Sequence, residues 1–324
     1  DQLRREATAC LGDFVGHEPT TWTRPMELNG WISAVAVSPS NSVVAVAFTD
    51  VIQLRDASSG RVVAEFRDHK SGVFALSLSA DGQTLTSMDD SGVIKVRRAT
   101  RSGTRESSDR SLTTSATDAA WSVVRELQGL VGAERRQVVA VSCVLSPDGQ
   151  QLFACSKGEQ RVRMWDVKTG NVEFEFRGPH NEPFVRAALS SDGTRLVGAY
   201  RTAEIDGVVI WDVARREIAK MLPVSRQAIV DVTFSADGNF LACACVEGTY
   251  VFDTTDWRQR TTVRSEDQFF TVAFHPTRSI LAVPSSGSHS VRLWDVVANR
   301  EVATLKHPGA PHSLAFAPDG SFLI

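Results

Sequence analysis

The side chains best suited to chemistry in this chain are seven histidines and five cysteines. Their spacing argues against catalysis. His17, His69, His180, His275, His289, His307 and His312 are scattered, and no pair brackets a Glu at i, i+4 as a helical zinc site requires. No Gly-x-Ser-x-Gly elbow, phosphate-binding loop or paired metal motif occurs. Cys143, Cys155, Cys243 and Cys245 lie in apolar runs expected to be inner strands, and Cys10 stands near the start. Cys243 and Cys245 alternate with Ala and so share a strand face, but no further Cys or His is spaced to complete a zinc site with them. They read as small buried hydrophobes. The cysteines are odd in number and four of them lie in expected core strands, which favours a reducing, cytoplasmic compartment; the alternative is the extracytoplasmic end of a membrane-anchored parent. No catalytic, metal-binding or cofactor-binding residue is assigned, and no cofactor is expected.

What must position any site is a repeat. A turn of the type Ser-x-Asp-Gly recurs at Ser38, Ser79, Ser146, Ser190, Ser235, His275 and Ala317, each time after an alternating apolar run. Subtracting neighbours gives spacings of 41, 67, 44, 45, 40 and 42. A period just above forty, with about four short strands per unit, is the signature of a β-propeller blade. Such a unit cannot bury its apolar face alone, so its neighbours make the core. Gly accepts the positive φ of the turn, and Asp bonds its own backbone. Small residues (Ala34, Ala36, Ala75, Ala187, Ala188, Ala273, Ala315) fit inner strands beside a narrow, neutral channel.

A second phrase keeps step with the first. Trp165-Asp166, Trp211-Asp212 and Trp294-Asp295 follow their turns at a nearly constant interval; Phe252-Asp253, Arg55-Asp56 and Arg97-Arg98 are weaker copies. Over roughly residues 26 to 324 the chain resembles the WD-repeat propellers. That resemblance implies an all-β propeller of four-stranded blades, six complete and a truncated seventh. It implies a structural role for Trp165, Asp166, Trp211, Asp212, Phe252, Asp253, Trp294 and Asp295. The Gly-His pair of the family survives only as echoes at Asp68-His69, Gly178 with His180, and His307. The family's buried His–Ser/Thr–Asp–Trp networks are therefore not carried over. Arg55 and Arg97 should lay their stems over the blade and keep their guanidinium groups in water or on a carboxylate.

Two segments break the repeat. In residues 1–28, Leu3, Ala7, Leu11, Phe14 and Val15 share a face at helical spacing, which predicts a short amphipathic helix stopped by Gly16. The wording of this stretch, from Leu3-Arg4-Arg5-Glu6-Ala7 to Pro19-Thr20-Thr21-Trp22, resembles the join between linker and propeller in large bacterial Hanks-type serine/threonine kinases. The kinase motifs themselves do not occur, so this chain is not expected to be an enzyme. Residues 29–324 form the propeller. Within it, 99–120 is rich in Ser, Thr and Arg and is expected to be a disordered insertion in the second blade. Residues 23–28 should supply the outer strand of the last blade. Its third strand has no counterpart in the sequence, which predicts open edges that invite association.

A net charge of −3 gives no electrostatic case for nucleic acid, and no apolar run is long enough to span a membrane as a helix. These readings converge on a non-catalytic interaction or scaffold module with a protein or peptide partner. The alternative is a propeller binding a small ligand or cofactor in its central channel as part of an enzyme. A partner would meet the face made by the outer-to-inner loops and the loops between second and third strands. The candidates are His69, Lys70, Arg135, Arg136, His180, Phe184, Arg201, Arg226, Phe269, His289 and His307.

Overall fold

The structure is a computed structural model that describes residues 7–11, 20–22, 32–38, 43–100, 120–128, 141–156, 159–178, 182–264, 271–285, 287–306, 311, 313–317 and 319–324. The alternating runs form six four-stranded antiparallel sheets, each an uninterrupted meander from inner to outer strand. These blades cover residues 32–66, 73–127, 141–177, 184–225, 229–264 and 273–306. The second strands Val43–Phe48, Thr84–Asp89, Phe240–Cys245 and Ile280–Ser285 are buried along their whole length. They are covered on both faces, which is why three of them read as near-continuous apolar runs; Thr84–Asp89 instead buries Thr84, Thr86, Ser87 and Asp89. Outer strands such as Glu217–Ser225 and Arg300–Lys306 are largely exposed and more polar.

The core is a series of clusters that each join two blades. Phe153, Met164 and Phe176 of blade three pack with Phe184, Leu196, Val209 and Trp211 of blade four. Each such side chain, fully buried, contributes about 1.5–3 kcal/mol. Cys243 and Cys245 sit together in the cluster between blades four and five. Three of the core cysteines lie on second strands, not inner ones: Cys155, Cys243 and Cys245. Burial pushes the Cys143, Cys155 and Cys245 thiols up to about 12 and the Cys243 thiol well above its ordinary value, so none is a ready nucleophile.

The repeated turn has a definite physical job. Ser38, Ser79, Ser146, Ser190 and Ser235 each accept, on Oγ, the backbone N–H five residues on, at 2.9–3.0 Å. In the last four the same hydroxyl donates to the Asp two residues on, at 2.5–2.6 Å. Neighbouring turns also touch: Ala80 N–H donates to Pro147 O, and Ser191 Oγ to Ala236 O.

The N-terminal segment departs from the helical expectation. Ala7–Leu11 is a strand, paired on one side with Thr20–Trp22 and on the other with Phe322–Leu323. Period-four apolar spacing misled here because sheet pairing, not local propensity, decides so short a segment. The seventh sheet therefore takes its strand beside Phe322–Leu323 from Ala7–Leu11, a source the sequence reading missed. Residues 23–28 lie outside the described residues. Leu314 and Leu323 pack on blade six, and Ala317 and Ile324 on blade one. These residues thus pack the seventh sheet's segment against both neighbouring blades. In blade two, Ile94–Thr100 and Ala120–Leu127 pair up to Thr100↔Ala120, so both strands reach into the expected insertion. Residues 101–119 lie outside the described residues.

Candidate functional site

Backbone hydrogen bonds bring the two loop sets onto one face. Val73 N–H donates to Thr49 O, Asp90 N–H to Gly72 O, Phe184 N–H to Glu159 O and Val246 N–H to Ala228 O. In each pair an outer-to-inner loop meets a loop between second and third strands. On this face Lys70, Arg226 and His289 are exposed. Arg201 is 41% exposed, with Nε 3.6 Å from the buried Asp206 carboxylate. Asp206 also accepts the N–H groups of Thr202 and Ile229 at 3.1 and 3.2 Å, which ties the Arg201 loop to blade five. Asp206 pairs across the sheet with Ser225, so Arg226 stands next to this anchor. Ile205, between Arg201 and Asp206, leaves 38% of its surface in water. Arg135, Arg136, His180, Phe269 and His307 lie outside the described residues.

Two candidates are not on the face. Phe184 is 1% exposed, and its ring meets Trp211 at 5.4 Å. It opens an inner strand, where an aromatic side chain is drawn into the interblade core. His69 is also buried, with Nδ1 2.9 Å from Asp89 and Nε2 2.8 Å from Ser87 Oγ. Arg97 donates from Nη1 to the same Ser87 Oγ at 2.6 Å and pairs through Nη2 with Asp68. Its guanidinium lies 4.6 Å from the Phe66 ring centre. Burial works against the Asp89 carboxylate, but hydrogen bonds from His69 and Ser91 outweigh it and hold its pKa below the ordinary value. For Asp68, burial likewise opposes the charge, and Arg97 and Lys95 overcome it. Burial lowers the pKa of Arg97, and Asp68 opposes that shift.

Arg97 thus meets a carboxylate but not water. Arg55 meets neither: its Nε and Nη2 donate to Gln53 Oε1 at 3.1 and 2.7 Å, and its Nη1 to Gly60 O at 3.1 Å. Its side chain is buried, so backbone and amide oxygens replace the solvent it was expected to reach.

The WD domain, G-beta repeat family matches residues 60–96 and 128–166, two of the repeats read from the sequence. The chain carries WD40 repeats and folds as a β-propeller with six four-stranded blades. It is 28% identical over 193 residues to periodic tryptophan protein 2 of Arabidopsis thaliana, covering 56% of this chain and 20% of that protein. It is 31% identical over 140 residues to a WD repeat-containing protein of Synechocystis sp., covering 42% and 39%. Apoptotic protease-activating factor 1 of Rattus norvegicus is 24% identical over 265 residues, covering 74% and 20%. The propeller thus spans well under half the length of each of these relatives. Among solved structures, Kuenenia stuttgartiensis hydrazine synthase superposes with a TM-score of 0.73 over 96% of this chain and 95% of that one. At 16% identity that likeness concerns the fold alone.

Within the propeller, Trp165 and Trp211 are buried against the preceding blade, as is Phe252, while Trp294 is only partly buried. The Asp that follows each caps the next turn. Asp166, Asp212 and Asp295 accept the N–H groups of Thr169, Arg215 and Ala298 at 2.5–2.8 Å, and Asp253 that of Thr255 at 2.9 Å. Sequence reasoning missed two charged residues of the inner strands. Arg186 and Asp231 hold matching inner-strand positions of blades four and five, with Nε 3.9 Å from Oδ1. Asp231 also accepts from Thr271 Oγ1 at 2.9 Å and Val272 N–H at 3.1 Å. Burial raises its pKa, although 18% of its side chain is exposed and the Arg186 charge works the other way. The signal was available: a charge inside Val185-Arg186-Ala187 and Val230-Asp231-Val232 breaks an otherwise apolar or neutral run.

Proposed function

We propose that this propeller is a non-catalytic protein-interaction scaffold whose partner docks at the blade four–blade five boundary. WD-repeat propellers are generally non-catalytic and bind protein partners. One observation supports this position. Arg201 and Arg226 stand around the exposed Ile205, on loops fixed from below by Asp206. Arginine beside an exposed apolar side chain on a rigid support is the composition of interface centres. The test compares partner capture by the wild type, by an Arg201→Glu/Arg226→Glu variant and by Asp148→Lys on the opposite face. The reading expects proteins that the double charge reversal loses and Asp148→Lys keeps. Equal capture by all three would refute it.

In its finer form the scaffold belongs to a bacterial signalling protein, beside a serine/threonine kinase and in the cytoplasm. Its support is the wording of residues 3–22 and the free, buried Cys143, Cys155, Cys243 and Cys245. Reading the gene upstream of residue 1 tests it directly. A second reading, a small zwitterion in the channel, is favoured by the Arg186–Asp231 pair. It expects free amino acids to raise the melting temperature of the wild type but not of Asp231→Asn.

A further inference from the structure

Five blades close their repeated turn with Ser; blade six uses His275. Its Nδ1 accepts the backbone N–H groups of Thr277 and Arg278, both at 3.2 Å. The ring also abuts Phe316 and Gly320, on either side of the link between blade six and the seventh sheet. Phe316 meets it edge-on at 5.1 Å. Gly320, at φ +75°, lies so close that a Cβ there would fall 2.4 Å from the ring's Cε1 and Nε2. Because Nδ1 uses its lone pair as an acceptor, the proton of the neutral ring belongs on Nε2, the nitrogen facing Gly320.

We propose that His275 is a proton-operated latch on ring closure: neutral, it holds residues 313–317 and 319–324 against blade six, and protonated, it lets them go. A proton on Nδ1 would turn the acceptor into a donor facing two other donors, Thr277 N–H and Arg278 N–H. The turn must then reorganise, and the ring that supports Phe316 and Gly320 moves with it. The charged side chains on the two elements that meet there are Arg278, on the turn itself, and Asp319, on the closing segment. Burial is the main influence that keeps the ring neutral; the Arg278 charge adds to it, and the hydrogen bond with the Gly320 backbone opposes it. The folded pKa is thus lowered. The folded state binds fewer protons than the unfolded one, so closure is strongest above about pH 6.5 and weakens as pH falls below that value.

The closing segment carries its own reporters: Ala315 N–H to Ile324 O at 2.8 Å and Ile324 N–H to Ala315 O at 2.9 Å. Hydrogen exchange of these amides in the full chain, corrected for intrinsic rates, is compared at pH 7.5 and pH 5.5 with amides of blade three. The latch expects wild-type protection of Ala315 and Ile324 to fall severalfold more than that of blade three, up to a ceiling of about tenfold set by an open-state pKa near ~6.5. In His275→Asn, whose Oδ1 accepts but does not titrate, the extra fall should vanish. An equal fall in both proteins, or none in the wild type, overturns the proposal. If His275→Asn does not fold, the His275 Cε1 proton resonance of the wild type decides. A midpoint below about 6.5 that coincides with the loss of Ile324 protection supports the latch, and a midpoint at or above that value refutes it.

Discussion

Blade four places Trp211 on its third strand, opposite Leu196 on one side and Ile218 on the other. The indole is 2% exposed, lies 5.7 Å from Phe176 and 5.4 Å from Phe184, and makes one hydrogen bond, Nε1–H to Arg177 O at 3.3 Å. Blade two has Arg97 at the same register, opposite Leu85 and Val123. That guanidinium is just as buried, but it is held by Ser87 and Asp68, with His69 and Asp89 behind Ser87. One position is thus filled by an apolar and by a polar solution. The apolar one tolerates poor hydrogen bonding because its free energy comes from area and packing. The polar one depends on Ser87 and Asp68, since a buried charge left alone is costly, and even so Arg97 Nε has no hydrogen-bond partner.

The largest expected effect is on the apolar side. Trp211→Ala should destabilise the propeller by roughly 3–5 kcal/mol, as other aromatic truncations in a core do. Chemical denaturation measures this, and a loss below about 1 kcal/mol would mean that the blade three–blade four contact closes without the indole. On the polar side, Asp89→Ala removes one partner of the buried His69 and should cost about 3 kcal/mol. Asp89 also makes that side sensitive to acid. Its folded pKa is lowered, so its contribution is full above the unfolded value near ~4 and is lost as pH falls through the folded one. Below that range Asp89→Ala and the wild type should converge in stability. Continued divergence would show that packing, not charge, is what Asp89 supplies.

Arg97→Trp asks whether the two solutions are interchangeable. The indole Nε1–H could donate to Ser87, and Asp68 is exposed enough to be solvated once its partner leaves. The change in stability should stay within about 1 kcal/mol, because exchanging a buried ion pair for a well-packed apolar group is often neutral. A loss near that of Asp89→Ala would show that the blade is shaped around the guanidinium.

The propeller was legible in the sequence because its signals repeat. The phased Ser-x-Asp-Gly turns and Trp-Asp phrases each have a local physical cause, visible here in the Ser79 and Asp166 hydrogen bonds. The blade-two network was not legible. His69, Ser87, Asp89 and Arg97 come from three parts of the blade, and Arg97 replaces the one residue that would have announced it. Phe184 and His69 were placed on the loop face because they flank loops. Loop position does not report that Phe184 packs on Trp211 or that His69 turns toward Ser87. The closing strands were missed for a related reason: the partner of Ala7–Leu11 is Phe322–Leu323, at the far end of the chain, and no local pattern encodes such a pairing.

The smallest effect is expected at the blade-two insertion, and it bears on how independent the polar network is of its surroundings. Thr100 and Ala120 are cross-strand partners, and Thr100 Oγ1 donates to Ala120 O at 2.9 Å. Their backbones are already close enough for a short hairpin turn to join them. The network sits at the other end of the blade, where Leu127 pairs with Ile94 and the loop beyond holds Asp68 and His69. Replacing 101–119 by an Asn-Gly turn should therefore leave blade two assembled. Each halving of a loop returns about 0.6 kcal/mol of closure entropy, so the deletion should be neutral or stabilising by up to about 2 kcal/mol. Denaturation of the deletion variant checks the magnitude. The His69 ring resonances provide the sharper reading. If they shift while stability is unchanged, the insertion reaches the network after all, and the polar solution of blade two extends beyond the five side chains that build it.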